Sequence, residues 1–366
     1  MSNMREFVPG LKLSELFYKE IVKSILDSEF PHLKYSVGLI DGGSEVLGFD
    51  TPQSTDHNWG PRLLLFLPEA GYQKSKERIS TVLSRELPPT FRGYSTHFIS
   101  KPDEEGVQLL TEAKDGQPIN HRVDIFTIKS FFQEHLGINP NDEISVLDWL
   151  TLSQQRLRTI RSGRVFHDGL KLNEIRKKLE YYPKDLWLYL LASQWHRIGQ
   201  EEPFIGRCGD VGDEVGSRIL ATRLVKDIIS LCFLMQREYM PYSKWLGTAF
   251  SRLKCHKILA PIIRRVLSSE KWRERERHLS RLYKEIAKMH NHLGITKPLI
   301  TRVSHFYTRP YLVIHGDVFA REIKRKIKNN AIKNIKVDIG SVNQFSDSTD
   351  VLEDTQLLKK FKILYN

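Results

Sequence analysis

The chain has 366 residues, of which 40% are hydrophobic and 27% charged, with a formal net charge of +12. This is too long for one ordinary core and too apolar for a disordered chain, so two or three globular domains are expected. The positive balance favours an anionic partner, while three widely spaced cysteines, Cys208, Cys232 and Cys255, fit a reducing cytoplasm better than a disulfide framework and have no metal-ligand spacing.

Leu13, Leu16, Phe17, Ile21, Ile25 and Leu26 recur at helical spacing and predict a helix over 12–28. A short strand over 35–40 runs into the turn Asp41-Gly42-Gly43, a second strand covers 62–67, and a helix over 74–85 stops before Pro88-Pro89. Further strands are expected over 94–100 and 121–128, separated by a polar, acidic excursion. From Leu147 the pattern becomes almost purely helical, with helices over 185–202, 213–239, 242–254 and 258–293. Asp213 reads as the N-cap of the second of these. After Pro298 come a strand over 311–314, a basic helix over 318–328 and a strand over 335–339. The expected organisation is therefore α+β: a small mixed-sheet domain over 1–145, a helical domain over 146–298 and a short α/β module over 299–366. The apolar stretch 228–235 falls far short of the roughly 20 residues of a membrane span. No apolar leader core stands at the N-terminus, so the expected location is the cytoplasm, with no membrane partner. The charged run over 264–288 mixes both signs at helical spacing and reads as a solvated face, so nucleic acid is not the favoured partner.

The chemistry concentrates in "GGSEVLGFDTPQSTDHNWGPRLLLFLP", residues 42–68. Nucleotidyl transfer needs a turn whose amides hold a triphosphate and carboxylates that bind divalent ions. Gly43 and Ser44 supply such a turn. Asp56 and Asn58 are spaced i,i+2, which on a strand would put both side chains on one face. Asp124, in the apolar strand "HRVDIFTI", is a carboxylate that is costly to bury without a cation. Asp56, Asn58 and Asp124 are thus the candidate ligands for Mg²⁺ or Mn²⁺.

The Gly-Ser turn, the Asp-X-Asn pair and the lone strand carboxylate resemble the DNA polymerase β-like nucleotidyltransferase superfamily. Together with "DLWLYLLASQWHRIGQEEPFIGR", "GDEVGSRILATRLVKD", "PYSKWLGTAF" and "NQFSDSTDVL", they resemble a bacterial domain-of-unknown-function family of predicted nucleotidyltransferases. The resemblance implies a nucleotidyltransferase sheet packed against a helical domain, as in kanamycin nucleotidyltransferase. It implies Mg²⁺-dependent transfer of a nucleoside monophosphate, AMP foremost, from an NTP to a hydroxyl acceptor on a small molecule or macromolecule. In that reading Gly43, Ser44, Arg62 and Arg207 face the nucleotide, and Glu202 serves as general base. The family has aspartate where this chain has Asn58, which keeps an oxygen ligand but removes one charge. A unit charge pair at ~4 Å is worth roughly 4 kcal/mol at an effective dielectric of 20, a rate factor of about a thousand. The alternative is a nucleotide-binding or interaction protein that keeps the fold and has a weakened or inactive site. The segment "YLVIHGDVFAREI" resembles the His-Gly-Asp loop of aminoglycoside phosphotransferase-like kinases, but Glu322 stands where an asparagine is required and too little chain follows.

Overall fold

The computed structural model describes residues 6–101, 104 and 106–366. The chain is α+β and divides into two compact units, Met1–Glu143 with Arg156–Glu180, and Ile144–Gln155 with Tyr181–Asn366.

Unit 1 begins with α1 (Gly10–Phe17), which continues through a π-helical turn, Tyr18–Val22, into α2 (Lys23–Glu29). Then come β1 (Ser36–Leu39), β2 (Arg62–Leu67), α3 (Tyr72–Glu86), the short strands β3 (Thr90–Phe91), β4 (Tyr94–Ser95), β5 (Phe98–Ser100) and β6 (Gln108–Leu110), β7 (Arg122–Thr127) and α4 (Ile128–Leu136). α5 (Val146–Thr151) belongs to unit 2, whereas most of α6 (Gln154–Ser162), with β8 (Arg164–Asp168) and α7 (Leu172–Lys178), completes unit 1. The main sheet has the order β7-β2-β1-β8, with β2 and β7 parallel and the other pairs antiparallel. β8 adds a strand to the region after Leu147 expected to be almost purely helical: "RVFHD" is short and only partly buried, so it carries little periodic signal, yet it forms the sheet edge beside β1.

Every residue of β2 is buried, because it is a central strand covered on both faces. On one face Val37, Leu63, Leu65, Val123 and Ile125 join Leu13, Phe17, Val22, Leu26, Ile79 and Leu83 from α1 to α3 in a single core. On the other face Phe66 and Phe126 meet Phe131 of α4 edge-on, at ring centroid distances of 5.4 and 5.7 Å. α4 starts where Thr127 accepts the Ser130 amide and stops at Gly137 in the left-handed conformation.

Unit 2 contains α8 (Lys184–Glu201), α9 (Phe204–Asp210), α10 (Glu214–Met235), α11 (Ser243–Ser251), α12 (His256–Ser268) and α13 (Trp272–His292). There follow the hairpin β9 (Ser304–Phe306) and β10 (Arg309–Val313), then α14 (Gly316–Lys324), α15 (Asn330–Lys333), α16 (Val342–Phe345), α17 (Thr349–Glu353) and α18 (Thr355–Lys360). Asp213 caps α10 by accepting the Gly216 amide, as the sequence indicates. The helix expected over 258–293 is two helices, broken at Ser269, and 335–339 is not a strand. Arg275, 1% exposed, ties α13 to α10 through Glu214 and Ser217 and also donates to the Ser269 carbonyl. No helix among the described residues is long and apolar enough to cross a membrane.

Candidate functional site

Arg62 opens β2 and points to the sheet face that also carries Leu64 and Phe66. β7 runs parallel with Arg62 opposite Arg122 and Leu64 opposite Asp124, so Arg122 and Asp124 share that face. β1 is antiparallel to β2, which brings its C-terminal turn, Asp41 to Glu45, to the start of β2. There Arg62 closes on the turn. Its Nε donates to Glu45 Oε1 at 2.8 Å, Nη1 to both Asp41 oxygens at 3.1 and 2.9 Å, and Nη2 to the Gly42 carbonyl at 2.5 Å. The side chain is 3% exposed. This corrects its expected role: its donors are spent inside the protein, so Arg62 clamps the turn and does not itself reach a phosphate. Burial pushes the Glu45 carboxyl above its ordinary range, with the guanidinium opposing.

The clamp gives the turn its shape. Gly43 has φ +137°, a backbone open only to glycine, and a Cβ there would lie 2.5 Å from Glu45 Oε2 and 2.7 Å from Arg62 Nη2. Ser44 accepts the Phe49 amide through its carbonyl. The Gly43 and Ser44 amides have no acceptor among the described residues. Two successive amides left without an acceptor in a fixed turn are donors available to an anion.

The expected metal ligands are placed differently. Asp56 does not lie on a strand: it ends a 3-10 turn, Pro52–Asp56, is 67% exposed and accepts from His57 Nδ1 at 3.0 Å, which lowers its pKa. Asn58 sits in the left-handed region at φ 50°, so the strand alternation that would align positions 56 and 58 is absent. Its amide donates to the Gln108 carbonyl at 2.7 Å and its Oδ1 accepts the Gln108 amide at 2.9 Å. Asn58 thus pairs with β6 as a strand residue would, using its side chain as the acceptor. Asp124 is half-buried and lies 3.4 Å from Arg122. Asp50, nearby in sequence, accepts from the Gly10 amide and the Trp59 indole and so is engaged within the fold. Among the described residues no group of three or more His, Cys, Asp or Glu is placed to hold a metal ion. With the Asn58 oxygen engaged, Asp56 and Asp124 alone do not fit the two-metal centre that the resemblance implies.

The pairing predicts distinct outcomes at position 58. Asn58→Asp keeps the fold, because aspartate tolerates the left-handed backbone and a carboxylate still accepts the Gln108 amide. Asn58→Ala loses both advantages and costs about 1–3 kcal/mol, measured by urea unfolding of the two variants.

Glu202 and Arg207 belong to unit 2. Arg207 is exposed on α9. Glu202 is buried, and its two oxygens accept the Ile314 amide at 2.5 Å and the Gly316 amide at 3.1 Å. It therefore holds the turn at His315, itself left-handed at φ 61°, and is not poised as a general base. Burial pushes its carboxyl up to about 8. The folded state thus keeps a proton that the unfolded chain releases near 4.5, so the stability linked to Glu202 is complete below that value and is lost as pH rises through about 8. Unit 2 is expected to unfold more readily at pH 8 than at pH 5. Glu202→Gln should flatten that slope in melting curves taken across the range; an unchanged slope would place the titration elsewhere.

Asp41 and Glu45 were missed as candidates, although both flank the Gly-Gly-Ser turn in "DGGSE". Their importance follows only from seeing Arg62 fold back over the turn.

A profile of the family described as Domain of unknown function (DUF4037) matches residues 149–246. No curated protein and no solved structure matches the chain. The likeness to a domain-of-unknown-function family therefore holds for a stretch centred on α8 and α10, and it does not extend to the Gly43 turn, Asn58 or Asp124.

Proposed function

We propose that unit 1 is a nucleotidyltransferase-like module that binds a nucleoside triphosphate, ATP foremost, without efficient nucleotidyl transfer. The observation that carries this reading is the Arg62-clamped turn, which leaves the Gly43 and Ser44 amides available to a phosphate group. The engagement of the Asn58 oxygen by Gln108 argues against a complete set of metal ligands. A second reading, slow Mg²⁺-dependent transfer of AMP to a hydroxyl acceptor, is favoured by one feature. Asp124 stands half-open on the same sheet face as the residue that clamps the turn.

Pyrophosphate release from ATP, followed in wild type and Asn58→Asp with Mg²⁺ or Mn²⁺, separates the two. Binding without release in either protein supports the non-transferring module. A rise of about a hundredfold or more in the variant, within the roughly thousandfold that one charge can supply, supports a weakened transferase. ATP failing to bind either protein would remove both readings.

A further inference from the structure

We propose that a basic groove on unit 2 binds a compact ligand carrying two or more phosphate groups, independently of the Gly43 turn. The groove, of about 580 Å³, is lined by His196 of α8, by Asp317, Arg321 and Lys324 of α14, by Arg325 directly after it, and by Lys333 of α15. That volume is in the range of small-molecule sites, roughly 300–1,000 Å³. Arg321, Lys324 and Arg325 stand at i, i+3 and i+4 and so share one helix face. Lys333 adds a fourth cation from α15.

The walls are fixed. α8 and α14 meet backbone to backbone: a Cβ on Gly316 would lie 2.5 Å from the Trp195 carbonyl oxygen, and one on Gly199 would lie 2.7 Å from the Asp317 amide nitrogen. Glu202 pins the turn that enters α14 through the Ile314 and Gly316 amides. On the other side Asp185, at the start of α8, accepts the Lys328 and Asn329 amides at 2.7 and 2.6 Å, which anchors the chain leading into α15. Such a scaffold fixes the backbone that carries the cations, which confines the ordering cost of binding to their side chains.

Three of the cations have carboxylate neighbours: Arg321 is 3.6 Å from Asp317, Lys324 pairs with Asp338 and Arg325 with Glu322. These pairs are exposed on the arginine or lysine side, and such pairs contribute only about 0–1 kcal/mol. A multivalent phosphate, which engages several cations at once through charge-assisted hydrogen bonds, displaces them. The lining offers no Phe, Tyr or Trp. Single-stranded nucleic acids are held by stacking bases on such rings, so a small phosphorylated molecule fits the groove better.

Titration calorimetry of the full chain with inorganic tripolyphosphate tests this. The measurement compares wild type, the double variant Arg321→Gln/Lys333→Gln, the control Arg264→Gln on α12, and Gly43→Ala. Melting curves verify that the exposed substitutions leave the fold intact. The expected result is a saturable event that the double variant weakens at least about tenfold, while Arg264→Gln and Gly43→Ala leave it in place. Three results overturn the proposal. They are no saturable binding at about 1 mM, equal weakening by Arg264→Gln, which would mean only net charge is felt, and loss of the event in Gly43→Ala but not in the double variant. Displacement of tripolyphosphate by RNA oligonucleotides, with affinity rising with their length, would also overturn it in favour of a nucleic-acid surface.

Discussion

Methionine in place of Arg62 is expected to destabilise unit 1 by about 3–5 kcal/mol, because it leaves Asp41 and Glu45 facing each other without their cation in a buried place. Glu45 is 3% exposed and Asp41 20%, so water can restore only part of what the guanidinium supplied. Lysine recovers little: one ammonium cannot reproduce a fork that serves Glu45, Asp41 and the Gly42 carbonyl together. A chain of two compact units need not unfold in one step, so the effect is best read locally. Amide hydrogen exchange in β1 and β2 should accelerate while α8 and α14 keep their protection. A change of less than about 1 kcal/mol would mean that the cluster behaves as an exposed ion pair and does not shape the turn.

The second large effect is expected at Gly43. Alanine there meets a forbidden backbone angle and two close contacts at once, one with each partner of the Arg62–Glu45 pair. The turn must open, which displaces the Gly43 and Ser44 amides. ATP affinity should fall more than tenfold, since those amides are the proposed phosphate donors. Ser44→Ala is the companion variant: it removes the hydroxyl but keeps the amide, so it should cost much less. Equal losses in the two variants would shift the weight from the turn geometry to the serine side chain.

Much of unit 1 was legible because its elements follow from simple periodicity. β1, β2, α3 and β7 fall where alternation, apolar runs and the Pro88-Pro89 stop place them. The Gly-Gly-Ser turn was recognisable for what glycine alone can do. What failed was the alignment of Asp56 and Asn58 expected from their i,i+2 spacing. An i,i+2 spacing aligns side chains only on extended backbone, and Pro52 opens a 3-10 turn that carries the chain to Asp56. Asn58 then takes a left-handed angle that no local pattern announces, because asparagine tolerates it without requiring it. Arg62 was read as a phosphate ligand, since sequence shows a cation near a Gly-rich turn but not which way its donors face. Glu202 misled for a related reason. A glutamate beside a Gly-rich connection looks catalytic until its partners, the amides of Ile314 and Gly316, are found more than a hundred residues away in the chain. β8 escaped notice because an edge strand of mixed polarity has no alternation to detect.

A nucleotide phosphate seated on the Gly43 and Ser44 amides would be seen by amide NMR of the full chain carrying isotope-labelled glycine and serine, titrated with ATP in the absence and presence of Mg²⁺. The Gly43 and Ser44 resonances should move together and saturate with one dissociation constant, and Mg²⁺ should not be required for the movement. Saturable ATP binding that leaves both resonances in place, or that moves only glycines of unit 2 such as Gly316, would contradict that seating.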